Sequence, residues 1–343
     1  MKTARFKEIT SRYRSLRVAI VGDFCLDRYF DIDPERGEIS IETGLPVHNI
    51  VRVRCQPGAA GTILNNLAAL GIGRIVPIGI CGDDGEGFEL RRALQTRAGT
   101  DISSFVRSAE RRTFTYTKPL IFETGKPPRE LNRLDIKNWT PTPESLQDQV
   151  CEALRRVARE VDAIILLDQV DVAETGVVTR KLLDCVRTVA AERPKLLVIA
   201  DSRRGLRGYP QVCLKMNRVE LMAMTGGEPA SHLELKKLVK GLADSHGKPV
   251  FVTLADEGII AAGPGQEASH RNAFPLRGEI DIVGAGDSVT ANLAASMTAG
   301  ASIEEAIEIA AAASSIVIHQ LGTTGAASIP EIESLLDREN FLT

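Results

Sequence analysis

The stretch "EIDIVGAGDSVTANLAASMTAG", residues 279–300, turns from a short extended run into a helix of small residues through the corner Gly284-Ala285-Gly286-Asp287. Glycines let the backbone turn tightly and approach a ligand closely. The residues that follow have the small-side-chain packing of a helix, so free N–H groups and the positive end of a helix dipole converge just ahead of Asp287. Such a corner suits an anion. If the anion is a phosphoryl group in transfer, Asp287 can accept the proton of a substrate hydroxyl while the amides stabilise charge on the moving oxygens. A plainer reading stands beside it, in which a glycine turn simply feeds a helix and Asp287 complements the dipole.

Working outward, "RVAIVGDFCLD", "IVPIGICGDD", "DAIILLDQVD", "KLLVIADSRR" and "PVFVTLADEG" are apolar runs that close in Gly or Asp. Helical stretches such as "GFELRRALQTRAG" separate most of them. This alternation predicts an α/β fold with a mainly parallel sheet flanked by helices and ligands bound beyond the strand C-termini. Residues 31–56 and 113–138 break the rhythm with alternating polar and apolar residues and Pro and Gly turns, which predicts a small β-sheet lid. Neither repeats nor a long linker divide the 343 residues, so one domain spanning 1–343 is expected.

A hydrophobic content of 43% supplies a core, and a net charge of −3 supplies no field that would draw the chain to nucleic acid or an anionic membrane. A small molecule is the expected partner. The six cysteines form no Cys-x-x-Cys pair and no dense disulfide framework, as expected in a reducing cytoplasm. The N-terminus lacks the apolar core of a secretory signal. Residues 309–330 carry no Asp, Glu, Lys or Arg, but His319, Gln320 and glycines predict a packed helix and turn rather than a membrane span. No G-x-G-x-x-G follows the first strand, which argues against a dinucleotide-binding dehydrogenase.

Six ordered stretches, "GDFCLDRY", "EISIETGLPV", "PGAAGTILNNLAALG", "ELNRLDI", "KMNRVELMAMTG" and "DIVGAGDSV", resemble the ribokinase-like (PfkB) carbohydrate kinases across almost the whole chain. Within that group the sequence looks most like the heptose 7-phosphate kinases. The resemblance implies that Asp287 is the catalytic base and that Gly284, Ala285 and Gly286 form the anion hole. It implies that Asn217 and Glu220 organise Mg²⁺ and the ATP phosphates, a role suited to hard oxygen ligands. An Asn and a Glu three apart at a helix start are equally a cap with its N3 partner. Thr253 and Gly258 are implied contacts to ATP phosphates or ribose, against the alternative of a plain β-turn. Gly322, Thr323 and Thr324 are implied to border the adenine pocket.

For the acceptor, the resemblance points to Asp27, Asp23 and Gly58, with short carboxylates accepting paired hydroxyls. Arg203 and Arg204 are implied phosphate ligands, with Arg133 in the lid as a further one. Solvated surface arginines are the alternative. Asp281 matches a position that helps bind a monovalent cation such as K⁺. The chain departs from its relatives at Ala59, where a second glycine is usual, and at Thr62, where an asparagine is usual. It also carries Asp171 where the heptose kinases have a Gly-Lys-Gly, which should repel a bound phosphate.

The expected activity is ATP-dependent phosphorylation of a sugar or sugar phosphate. A nucleoside or small-alcohol kinase of the same fold, and a sugar-binding regulator without turnover, remain the alternatives. A homodimer through the lid is implied by the resemblance, and no nucleotidyltransferase domain is expected in a chain ending at Thr343.

Overall fold

Apolar side chains occupy successive positions in the core strands because those strands are covered on both faces. In the strand Arg17–Gly22, Val18 and Ile20 pack into one core with Phe6, Leu64 and Leu293, while Ala19 and Val21 pack into another with Val150, Leu154 and Leu182. The computed structural model describes residues 1–340 other than 124, 228, 230 and 323. Its main sheet runs Ser269–Arg271, Ile259–Ala262, Val250–Thr253, Cys213–Asn217, Leu197–Ser202, Ala163–Asp168, Arg17–Gly22 and Arg74–Ile78 from edge to edge. The last six are mutually parallel, and at the first edge Ile259–Ala262 pairs antiparallel with both of its neighbours. The expected mainly parallel α/β architecture is therefore what the chain adopts.

The corner helix is Ala285–Thr298, capped by Gly284 in the left-handed region at φ 85°. Its Ala291, Ala294 and Ala295 are fully buried and let it lie close to the helix Ile303–Val317. That second helix starts with a reciprocal cap between Ser302 and Glu305. Thus residues 309–317 form the end of a buried helix, Ile329 opens the next helix, Ile329–Asn340, and no helix among the described residues is long and apolar enough to cross a membrane.

A second, five-stranded sheet lies beyond the C-terminal end of Arg17–Gly22. Its centre is Phe24–Ile32, paired antiparallel with Ile50–Ala59 and parallel with Thr115–Ile121. Arg129–Glu130 and Leu134–Ile136 complete it along Thr115–Ile121. The run after the first strand is therefore the middle of this sheet, whereas the sequence places the lid's first segment only from residue 31. Alternation explains the difference: Phe24 and Leu26 are fully buried, while Asp27 and Tyr29 lie on the opposite face. Register sets Gln56, Asp27, Tyr116 and Asp135 in one row across four strands, with Arg54, Tyr29 and Lys118 in the next row on that face.

Candidate active site

The corner at Gly284 is open to solvent on one side, since residues 284 to 287 are each half-buried. Glycine is required at 284 by its positive φ, and a Cβ there would stand 3.3 Å from Thr62 Cγ2. A Cβ at Gly286 would stand 3.1 Å from Lys215 Nζ. The Ala285 amide is spent on Ile282 O at 3.2 Å, and Ser288 N closes the first turn on Gly284 O. The amides of Gly286 and Asp287 have no partner among the described residues, so they carry the helix's anion-binding capacity.

The Asp287 side chain makes no hydrogen bond or ion pair among the described residues, and its pKa is pushed up to about 7. Burial is the main cause, Asp201 and Asp27 add repulsion, and Lys215 opposes them. Asp27 and Asp287 therefore face one another's field across the gap between the two sheets. Lys215, fixed in the strand Cys213–Asn217, donates to Asp201 Oδ2 at 2.7 Å, and Thr290 Oγ1 donates to the same oxygen at 3.1 Å. Burial works against the Lys215 charge, yet Asp201 and Asp287 hold its pKa above the ordinary value. The sequence reading missed this buried cation. Its signal was present, because a lysine in the middle of the apolar run "VCLKM" needs a buried partner.

Asn217 and Glu220 form a reciprocal cap: Glu220 N donates to Asn217 Oδ1 at 2.9 Å, and Asn217 N donates to Glu220 Oε2 at 2.7 Å. The plain capping geometry is thus fully made, with Glu220 Oε1 left over. Burial raises the Glu220 pKa, helped by Asp201 and offset by the Asn217 amide and Lys215. Glu220, Lys215, Asp201 and Asp287 form one electrostatic group at this end of the cleft. Thr253 is half-buried, its hydroxyl 3.4 Å from Met216 O. Gly258 packs against backbone, since a Cβ there would lie 2.0 Å from Arg271 O. Asp281 accepts from Val283 N at 3.0 Å and donates its own amide to Ile318 O. Gly322 is exposed, Thr323 lies outside the described residues, and Thr324 flanks Gly284 while accepting from Gln56 Nε2 at 2.7 Å.

At the acceptor end, Asp27 is 6% exposed, and among the described residues its carboxylate takes only a long 3.8 Å contact from Cys25 Sγ. Burial raises its pKa, and Lys118 and Arg133 pull it back. Gly58 is needed beside it, because a Cβ would come within 2.7 Å of the Asp27 carboxylate. Asp23 is closed off, accepting from Gln169 N at 2.9 Å and Val177 N at 2.7 Å. Its pKa is pushed up to about 6 by burial and by Asp168. Arg133 is held bidentate by Asp135, Arg203 lies 3.4 Å from Asp171, and Arg204 lies 2.6 Å from the buried Asp168. Asp171 itself sits 2.8 Å from Lys137 Nζ. A hollow of about 770 Å³ lies at the opposite end of the strands, beside Leu197, Cys213 and Pro249, and contains none of these groups.

A two-sheet α/β body with an anion-binding helix corner and a free carboxylate beside it is the construction of a small-molecule phosphotransferase. Residues 17–330 match the pfkB family carbohydrate kinases, and the chain belongs to that family. It is 30% identical to the bifunctional protein HldE of Hyphomonas neptunium over 97% of this chain and 66% of that protein. To the bifunctional protein HldE of Gluconobacter oxydans it is 28% identical over 91% of this chain and 62% of that protein. The chain thus spans about two thirds of the length of these relatives. Among solved structures it resembles Escherichia coli phosphofructokinase-2 in complex with potassium, with a TM-score of 0.72 and 18% identity over 95% of this chain and 99% of that one. Arabidopsis thaliana ribokinase complexed with ribose and ATP gives 0.63 and 19% over 94% and 98%. The protein is a carbohydrate kinase with the ribokinase-like fold.

Proposed function

We propose that this kinase transfers the γ-phosphoryl group of ATP to a hydroxyl of a sugar or sugar phosphate held between the two sheets, with heptoses among the acceptors to examine. The observation that carries the reading is the unpartnered Asp287 carboxylate beside the free Gly286 and Asp287 amides, facing Asp27 of the second sheet. Asp27 accepts hydrogen bonds from acceptor hydroxyls and orients the sugar. Asp287 takes the proton of the attacking hydroxyl as its oxygen bonds to the γ-phosphorus and the bond to the ADP oxygen breaks. The two amides and Lys215 meet the negative charge that gathers on the transferring oxygens.

The donor set fits Mg²⁺, which takes hard oxygen ligands and keeps several waters: Glu220 Oε1 is uncommitted and Asn217 lies beside it. When bound, Mg²⁺ neutralises the ATP phosphates. Asp281 retains one carboxylate oxygen toward a monovalent cation such as K⁺. The second sheet serves as the lid, its Gln56 already reaching Thr324 of the body and helping to exclude water from the transfer. Its exposed Ile50, Val51 and Val53 support a homodimer through this sheet. The six free cysteines suit work in the cytoplasm.

An acceptor screen with ATP and Mg²⁺, covering ribose, fructose, heptose, their phosphates and nucleosides, tests the reading. ADP formation with a sugar acceptor, absent in Asp287→Asn, is expected. A wild-type protein that binds sugars and forms no ADP would be a binding regulator instead.

A further inference from the structure

We propose that Cys151 and Cys185 are a redox-modification site, a thiol pair that hydrogen peroxide converts into a reversible disulfide joining the helices Glu144–Val157 and Arg180–Glu192. The two helices pack side by side and share one core with the main sheet. Cys185 Sγ donates to Cys151 O at 3.6 Å, and Cys151 Sγ donates to Lys181 O at 3.8 Å. Each thiol therefore lies against the opposite helix, within hydrogen-bonding reach of the other thiol. Both are free cysteines, and phosphoryl transfer uses neither.

The two thiols are chemically unequal. The Cys151 thiol draws the Cys185 pKa below the ordinary thiol value; burial opposes this, and Arg155 assists it. Cys185 is thus the nucleophile and Cys151 the resolving thiol. The Cys185 thiolate attacks one peroxide oxygen, the O–O bond breaks, and a sulfenic acid forms while the other oxygen leaves as water. Cys151 then attacks that sulfur, the S–S bond forms, and the S–O bond breaks with loss of a second water. Two electrons pass from the thiols to the peroxide, and the thiol protons end in the waters. In a reducing compartment the bond is transient, reopened by other thiols.

Both thiols are buried, at 1% and 3% exposed, but the cover above them is thin. Lys181 Nζ reaches Asp148 Oδ1 at 2.5 Å and Glu144 Oε1 at 3.2 Å across the same pair of helices, about one turn before Cys185 and Cys151. These ion pairs are exposed and hold little, so opening of that surface turn uncovers the thiols without unfolding the core. Nearer the helix starts, Thr179 Oγ1 donates to Gln147 Oε1 at 2.9 Å and Thr142 Oγ1 to Gly176 O at 2.6 Å. A staple between the helices therefore also restrains the segment leading from Gln169 to Thr179.

The test treats the folded protein with hydrogen peroxide, blocks the remaining thiols and maps tryptic peptides without reduction. Peptides 138–155 and 182–187 are expected joined, lighter by two hydrogens than their sum, and separated again by dithiothreitol. Cys55, which is less buried, controls for indiscriminate oxidation. The oxidised protein is expected to melt higher by about 3 °C or more. Lys181→Ala is expected to speed the joining by about threefold or more. Cys151→Ser and Cys185→Ser should each abolish the joined peptide and the higher melting point, while the wild-type map stands whether or not a variant folds well. Thiols left unjoined, a sulfinic acid on Cys185, or a bond from either to another cysteine overturns the proposal. A joined form that melts no higher overturns the staple, and a rate unmoved by Lys181→Ala overturns the route of access.

Discussion

The two ends of the cleft handle charge in opposite ways. Around Gly284 the decisive groups are left unsatisfied among the described residues: the Asp287 carboxylate has no hydrogen-bonding partner, and neither do two amides of the helix start. Around Asp27 the arginines and Lys137 are matched by acids, while Lys118 Nζ meets only Tyr29 among the described residues. Unsatisfied groups at a helix start wait for a charged ligand that comes and goes, here the phosphates. Matched groups form a wall of fixed polarity whose carboxylates and phenol suit hydroxyl hydrogen bonds.

The largest effect should come from the unsatisfied end. Asp287→Asn keeps the shape and removes the base, and kcat should fall on the order of 10³-fold in steady-state assays. The same change should stabilise the fold. Asp287 binds a proton more tightly in the folded protein, with its pKa near 7, than in the unfolded chain, where it is ordinary. Charged Asp287 therefore works against folding, and stability is lost as pH rises from about 4 through about 7. At pH 8 the Asn variant is expected to gain about 2 kcal/mol in denaturant melts. For the wild type, kcat/KM should rise with pH and level off above about 7. A variant that loses activity without gaining stability would mean that Asp287 is not held in this desolvated state.

Lys215 links the two behaviours, being fully matched by Asp201 yet adjacent to the unmatched corner. Lys215→Met leaves Asp201 buried with the Thr290 hydroxyl but without its cation, and a loss of about 3 kcal/mol is expected. It also removes the one cation that lowers the Asp287 pKa, so the acid limb of the pH profile should move up by about one unit. Adding Asp201→Asn should restore most of the stability and bring the limb partly back, because a repelling charge is removed as well. Stability restored with an unshifted limb would place Lys215 outside the reach of the reaction.

How much of this was readable beforehand follows from how local each feature is. The Gly284 corner is contiguous in sequence, with the turn, the helix start and the carboxylate inside four residues, so backbone rules located it beside the plain reading of a turn feeding a helix, and the resemblance to the carbohydrate kinases favoured the anion-binding one. The apolar runs disclosed the parallel sheet for the same reason. The acceptor end is assembled from separate segments: Asp27, Tyr116 and Asp135 become neighbours only through strand register, and Asp171 meets Lys137 across the cleft. Without register, Asp171 could be read only as a charge that repels phosphate, not as the partner of Lys137 and Arg203. The sequence favours Asp27 over Asp23 four residues earlier, but only the structure shows that the main-chain amides of Gln169 and Val177 occupy Asp23, while Asp27 takes a long contact from Cys25. Of the two meanings of the Asn217 and Glu220 spacing, the cap is made, and one Glu220 carboxylate oxygen is left over from it.

The smallest expected effect lies where the two ends join. Ala59 ends the strand Ile50–Ala59 and caps the helix Ala60–Ala69, with Gly58 against Asp27 on one side and Thr62 against Gly284 on the other. Its φ of 53° and ψ of −119° belong to a region that suits glycine, and an alanine there is strained by about 1–3 kcal/mol. Ala59→Gly relieves that strain while adding about 0.4–1 kcal/mol of unfolded-state freedom, so a net gain of about 1 kcal/mol is expected in urea melts with the slope unchanged. A gain accompanied by weaker acceptor binding would show that the strained residue helps hold Asp27 and Gly284 in mutual register. A loss of stability would mean that the corner is shaped by its neighbours, and that alanine at 59 is part of how this chain sets one end of its cleft against the other.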